Sequence, residues 1–118
     1  MVKVAVLAWE KPNADKALTG VGVYLSYLAD LGNFARRRGY ELELMFIVPW
    51  ERDLLLKEDG YSVRLLKTNG FSKRNPYDRG VLYHSCNSIA DRLLNDEPNI
   101  LKQFDVIFAS SFAFGELI

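Results

Sequence analysis

Thr19-Gly20-Val21-Gly22 sets two glycines at the mouth of the longest apolar-periodic segment of the chain. Glycines there let a backbone approach a ligand, and the unpaired N–H groups of a helix start favour an anion such as phosphate. The same residues also read as a glycine helix cap behind a flexible loop. Trp9 and Glu10 end the first apolar segment. An indole there can stack on a sugar ring while a carboxylate accepts from its hydroxyls, or Trp9 can simply close the core. Ser110 and Ser111 follow the last such segment. Their hydroxyls suit hydrogen bonding to a sugar, or capping of the next helix. His84 and Cys86 are the sole histidine and cysteine, which excludes a histidine-rich or thiolate metal site and an internal disulfide framework. His84 reads as a partly exposed helix residue and Cys86 as a small buried hydrophobe.

These positions matter only if the elements around them make an open sheet, where ligands bind beyond the carboxyl ends of strands at the topological switch. Residues 2–8 are nearly continuous apolar and β-branched, as in a strand buried on both faces. Residues 41–48 make a second strand, stopped by Pro49. Residues 61–66 follow a turn at Asp59-Gly60 as a weaker strand nearer a sheet edge, and 104–109 are again buried-strand material. A helix over 21–38 carries Val21, Leu25, Leu28, Leu31 and Ala35 as one stripe. Tyr24, Tyr27 and Phe34 widen it, which predicts a mostly covered helix. Arg36-Arg37-Arg38 and Gly39 supply a cationic last turn and a glycine stop. Gly32 costs about 1 kcal/mol against alanine, so a close neighbour is expected there. A second helix spans 80–94 with Leu82, Cys86, Ile89 and Leu93 inward, and a short one lies within 51–58. Residues 68–78 are the most loop-like stretch. Alternating strands and helices predict an α/β class, with a doubly wound, mainly parallel, Rossmann-like sheet in three α/β/α layers. The first and fourth of these strands should flank the switch point.

The glycine segment is neither a dinucleotide fingerprint nor a P-loop. The loop before it is long, Leu25 holds the third glycine position, and no Gly-Lys-Ser/Thr follows. It resembles instead the G-[IV]-G-x-Y helix opening of GT-B glycosyltransferases, through Gly20-Val21-Gly22-Val23-Tyr24. The nearest likeness is to their retaining, glycogen-synthase and sucrose-synthase-like branch (family 4-like). Trp9-Glu10-Lys11-Pro12 is similar to the W-E-x-P turn of that family, and Arg38-Gly39-Tyr40-Glu41-Leu42 to its R-G-H-E-V passage. Residues 104–110 stand where it often reads D-V-I-H-x-H, with Phe108 and Ser110 in place of the histidines. The resemblance implies the amino-terminal, acceptor-side domain of a two-domain enzyme, residues 1–118 being a fragment without the second domain. It implies a nucleotide-sugar donor, a sugar or glycan acceptor, and no metal or other cofactor. Backbone N–H groups of Gly20, Val21 and Gly22 would face the donor diphosphate, with Trp9, Glu10, Ser110 and Ser111 as acceptor-side candidates. The chain alone would then be inactive.

Composition bounds the rest. The 118 residues suffice for one modest core, and 49% apolar with 25% charged is ordinary globular usage. Fifteen basic residues balance fifteen acidic ones, so no global field holds nucleic acid or an anionic membrane. Arg64, Lys67, Lys73, Arg74 and Arg79 form a local basic cluster, read mainly as solvated charge. No apolar run is long enough to span a membrane and no signal peptide is evident, which predicts a cytoplasmic protein and leaves room for peripheral membrane contact. Residues 112–118 are apolar and read as the start of another helix, as in a chain that continues. The competing reading is a stand-alone α/β module that binds a phosphorylated small molecule or a protein partner without catalysis.

Overall fold

The computed structural model describes residues 1–8, 20–58, 60–68 and 79–109, with no side chains for 20–24 and 79–84. β1 (Val2–Leu7) pairs in parallel with β2 (Leu42–Trp50) on one side and with β5 (Val106–Ala109) on the other. β2 pairs in parallel with β4 (Tyr61–Lys67), and β3 (Leu54–Glu58) closes that edge antiparallel to β4. The sheet order is therefore β3-β4-β2-β1-β5, a mostly parallel five-stranded sheet of α/β class. α1 (Gly20–Arg37) joins β1 to β2. α2 (Arg79–Asp91), a π-helical turn (Arg92–Asp96) and α3 (Pro98–Lys102) join β4 to β5.

Alternation along the strands divides the core in two. Val6, Ala8, Leu44, Phe46, Val48, Val63 and Leu65 pack with Leu25 and Ala29 of α1. The intervening Ala5, Leu7, Ile47 and Leu66 pack with Cys86, Ile89 and Leu93 of α2 and its π-helical turn. Successive side chains of a strand point to opposite faces, which is why neighbouring residues of β1 and β2 fall into different clusters. Fully burying a leucine, isoleucine or phenylalanine contributes about 1.5–3 kcal/mol, and both faces of β1 and β2 draw on it.

Helix ends and turns follow local chemistry. At the end of α1 the N–H of Tyr40 reaches the carbonyl of Ala35 at 3.1 Å, and that of Gly39 reaches Arg36 at 3.0 Å. Gly39 has φ +89°, so this is the Schellman cap its glycine predicts. Gly32 is buried with Leu44 Cδ2 only 3.2 Å from where a Cβ would stand, the close neighbour anticipated.

Several expectations need correction. The short helix expected within 51–58 is the strand β3. Its three consecutive leucines hide any alternation, and pairing with β4 overrides their helix propensity. β4 is thus not the edge but next to it. Pro49 does not stop β2, since Pro49 and Trp50 pair onward with Leu66 and Lys67. The carbonyl of Ile47 points to β1, where it accepts from Ala8 at 3.0 Å, so Pro49 two residues on turns its missing N–H the same way. β1 has already ended there, and no ladder bond is lost. β5 is an edge strand, with Val106, Ile107 and Phe108 exposed rather than buried. Nor is α1 mostly covered, because Tyr27, Leu31 and Phe34 face solvent. The helix read over 80–94 leaves α-helical geometry at Arg92, where the Glu97 N–H bonds the Arg92 carbonyl at 2.8 Å.

Gly60 ties the β3–β4 hairpin to α1. It has φ +88°, and a Cβ there would stand 1.4 Å from Oδ1 of Asn33. Gly60→Ala should lower stability by about 2–3 kcal/mol, from backbone strain and from expulsion of the Asn33 side chain. Urea denaturation will measure it, and Gly39→Ala, with open space around its Cβ position, should cost less.

Candidate functional site

The topological switch falls where the sequence places it. From β1 the chain proceeds through β2 to β4 on one side, then returns to lay β5 on the other side of β1. α1 starts at Gly20 and runs back along the sheet. Leu25 and Ala29 pack among Ala8 and Val48, Gly32 lies on Leu44, and Asn33 reaches the Gly60 turn before β4. The first turn of α1 therefore stands toward the carboxyl ends of the parallel strands, with the body of the helix over β2 and β4. The backbone N–H groups at 20–22 open the helix and have no acceptor within it. No acidic residue occupies that turn of the helix itself, which spares an anion there one source of repulsion. Trp9, Glu10, Ser110 and Ser111 lie outside the described residues, as do Lys73 and Arg74.

Other candidates resolve differently. Cys86 is fully buried, and burial pushes its thiol up to about 12, so it stays protonated and unreactive at neutral pH. It is the small core hydrophobe the sequence suggests. His84 lies on α2, with its side chain outside the described set. Asp105, in the D-V-I segment, works at the opposite end of the strands. Its carboxylate accepts from the Lys3 N–H at 2.9 Å while its own N–H donates to the Lys3 carbonyl at 2.8 Å, clamping β5 to β1.

A polar site that sequence reading missed lies at the far end of β4. Arg92 donates to both carboxylate oxygens of Asp53, at 2.6 and 2.8 Å, and through Nε to Glu97 at 2.5 Å. Asp53 also accepts from the Lys67 N–H at 2.8 Å. One guanidinium thus locks the β2–β3 connection, the end of β4 and the π-helical turn together. An open depression of about 620 Å³ adjoins it, lined by Asp53, Lys67, Asn87, Ser88, Asp91, Arg92 and Asp96. With its donors committed to carboxylates, Arg92 acts as a structural lock rather than a free anion binder. The Arg92–Asp53 bonds span 39 residues and left no local signal in the sequence.

Among the described residues no group of histidine, cysteine and acidic side chains could hold a metal, and no helix is long and apolar enough to cross a membrane. Comparison of the chain with family models, curated proteins and solved structures returned no match.

The lock has a pH signature. The Arg92 guanidinium, then the Lys67 N–H, hold the Asp53 carboxyl at about 2, below its ordinary 3.8. A depressed carboxylate contributes stability above its unfolded value and loses it as pH falls from about 4 toward 2. More than half of the Asp53 side chain is exposed, so solvent screening keeps the contribution near 1 kcal/mol. Asp53→Asn should lose about that much at pH 7 and show a flatter stability decline between pH 4 and 2, read by urea denaturation at each pH.

Proposed function

We propose that this chain is the acceptor-side domain of a GT-B glycosyltransferase that moves a sugar from a nucleotide-sugar to a sugar or glycan acceptor. In this reading the sheet belongs to a doubly wound, Rossmann-like fold of three α/β/α layers. The reading is carried by one observation. Gly20-Val21-Gly22 forms the opening turn of the helix that follows β1, an inner strand flanked by β2 and β5.

The chemistry is coherent with that placement. Cleaving a sugar–phosphate bond develops negative charge on the leaving diphosphate and positive charge on the anomeric carbon. Fixed backbone N–H groups at a helix start stabilise the diphosphate as it leaves, and they need no reorganisation to do so. The glycines let the phosphates come within hydrogen-bond distance of the backbone, where a side chain at either position would hold them off. Trp9, Glu10, Ser110 and Ser111 are the acceptor-side candidates, because they follow the two strands that flank the switch. In this assignment the groups that bind the base and the rest of the donor belong to a second domain, and the enzyme works in the cytoplasm.

Titration with uridine, guanosine and adenosine diphosphates, followed by amide NMR, tests the reading. The expected result is saturable shifts of the Gly20, Val21 and Gly22 amides at millimolar ligand, weakened at least tenfold by Gly22→Val with the remaining spectrum preserved. Shifts confined to other amides, or none, would overturn it.

A further inference from the structure

α1 is apolar on two sides, and only one of them is used by the core. Leu25, Ala29 and Gly32 face the sheet and are buried. At about 100° per residue, Tyr27, Leu31, Phe34 and Arg38 fall within a strip about 60° wide, roughly opposite that buried face. The first three are 67%, 61% and 53% exposed, which is unusual for one contiguous ridge of large apolar side chains. Core packing does not explain them, since the sheet-facing stripe is complete without them.

The charge around the ridge is asymmetric. Arg36, Arg37 and Arg38 are all exposed at its carboxyl end, with Arg38 stacked over the Phe34 ring at 4.9 Å. The stack holds a guanidinium at the level of the apolar ridge, with donors left for an anion. Tyr40, 70% exposed, adds an aromatic just beyond the helix. Asp30 is the one acidic residue of α1. The neighbouring Glu41 faces the amino-terminal ammonium at 3.7 Å.

We infer that this ridge is an interfacial contact for an anionic lipid surface, with Tyr27, Leu31 and Phe34 entering the headgroup region and Arg37 and Arg38 meeting lipid phosphates. Two features favour a lipid surface over an acidic protein. The ridge is convex and stands on the outermost side of the helix, a shape that a deformable medium accepts without a matching groove. Its composition, tyrosine and phenylalanine beside snorkelling arginine, suits a boundary that is apolar on one side and charged on the other. The inference concerns α1 alone and holds whatever ligand Gly20–Gly22 take.

Flotation with phosphatidylcholine vesicles, with and without about one-third phosphatidylserine, tests it directly. The intact chain should float at least tenfold more with the anionic vesicles, and about 0.5 M salt should abolish most of that difference. Leu31→Ser with Phe34→Ser, and separately Arg37→Glu with Arg38→Glu, should each reduce flotation at least tenfold. Those side chains are exposed, so circular dichroism should be preserved in both variants. The thermal midpoint should barely move for the serine pair and fall modestly for the glutamate pair, which reverses charge at the helix carboxyl end. Equal flotation with neutral vesicles, or none with either, would overturn the inference. So would a concentration-dependent dimer that the same variants abolish without any lipid preference, which would give the ridge to a protein contact.

Discussion

Two-sided burial of β1 and β2 is the constraint on which the rest of this structure depends. Phe46 and Ile47 are adjacent in sequence, fully buried, and belong to different cores. A strand in that position needs cover on both sides, and parallel neighbours need crossovers long enough to supply it. α1 answers the first demand from the β1–β2 connection, and α2 with its π-helical turn answers the second from the β4–β5 connection. Once both helices are committed in this way, β5 has to return to the free side of β1, and the switch point is set. The glycines at the start of α1 then stand toward the carboxyl ends of the parallel strands, because Leu25, Ala29 and Gly32 fix the direction in which the helix runs.

Much of this was legible because the signals are local. The β-branched run at 2–7, the three arginines before Gly39, and the inward spacing of Cys86, Ile89 and Leu93 each carry their own periodicity or cap. What escaped is what depends on a partner distant in the chain. Leu54-Leu55-Leu56 has no alternation of its own and becomes a strand through β4. The passage of β2 through Pro49 depends on where β1 ends. The fate of Tyr27, Leu31 and Phe34 was misjudged because hydrophobic spacing identifies a stripe but does not say what covers it. In the proposed site the helix start at the glycine motif was readable, while the lock of Arg92 on Asp53 was not.

The two ends of the sheet are held by different physics. Near the amino ends Asp105 fastens β5 to β1 through paired bonds with the Lys3 backbone. At the end of β4, Arg92 binds Asp53 and Glu97 in a charged, partly exposed lock that acid weakens. Neither lock is built on α1. That helix presents a buried face to the sheet and an aromatic–basic ridge to its surroundings.

The most direct measurement of the central claim is a crystal structure of the protein soaked in pyrophosphate. The account predicts an anion within hydrogen-bond distance of the N–H groups of Gly20, Val21 or Gly22, beyond the carboxyl ends of β1 and β5. An anion bound instead at Lys67 beside the Arg92 lock, with the first turn of α1 left empty, would contradict it.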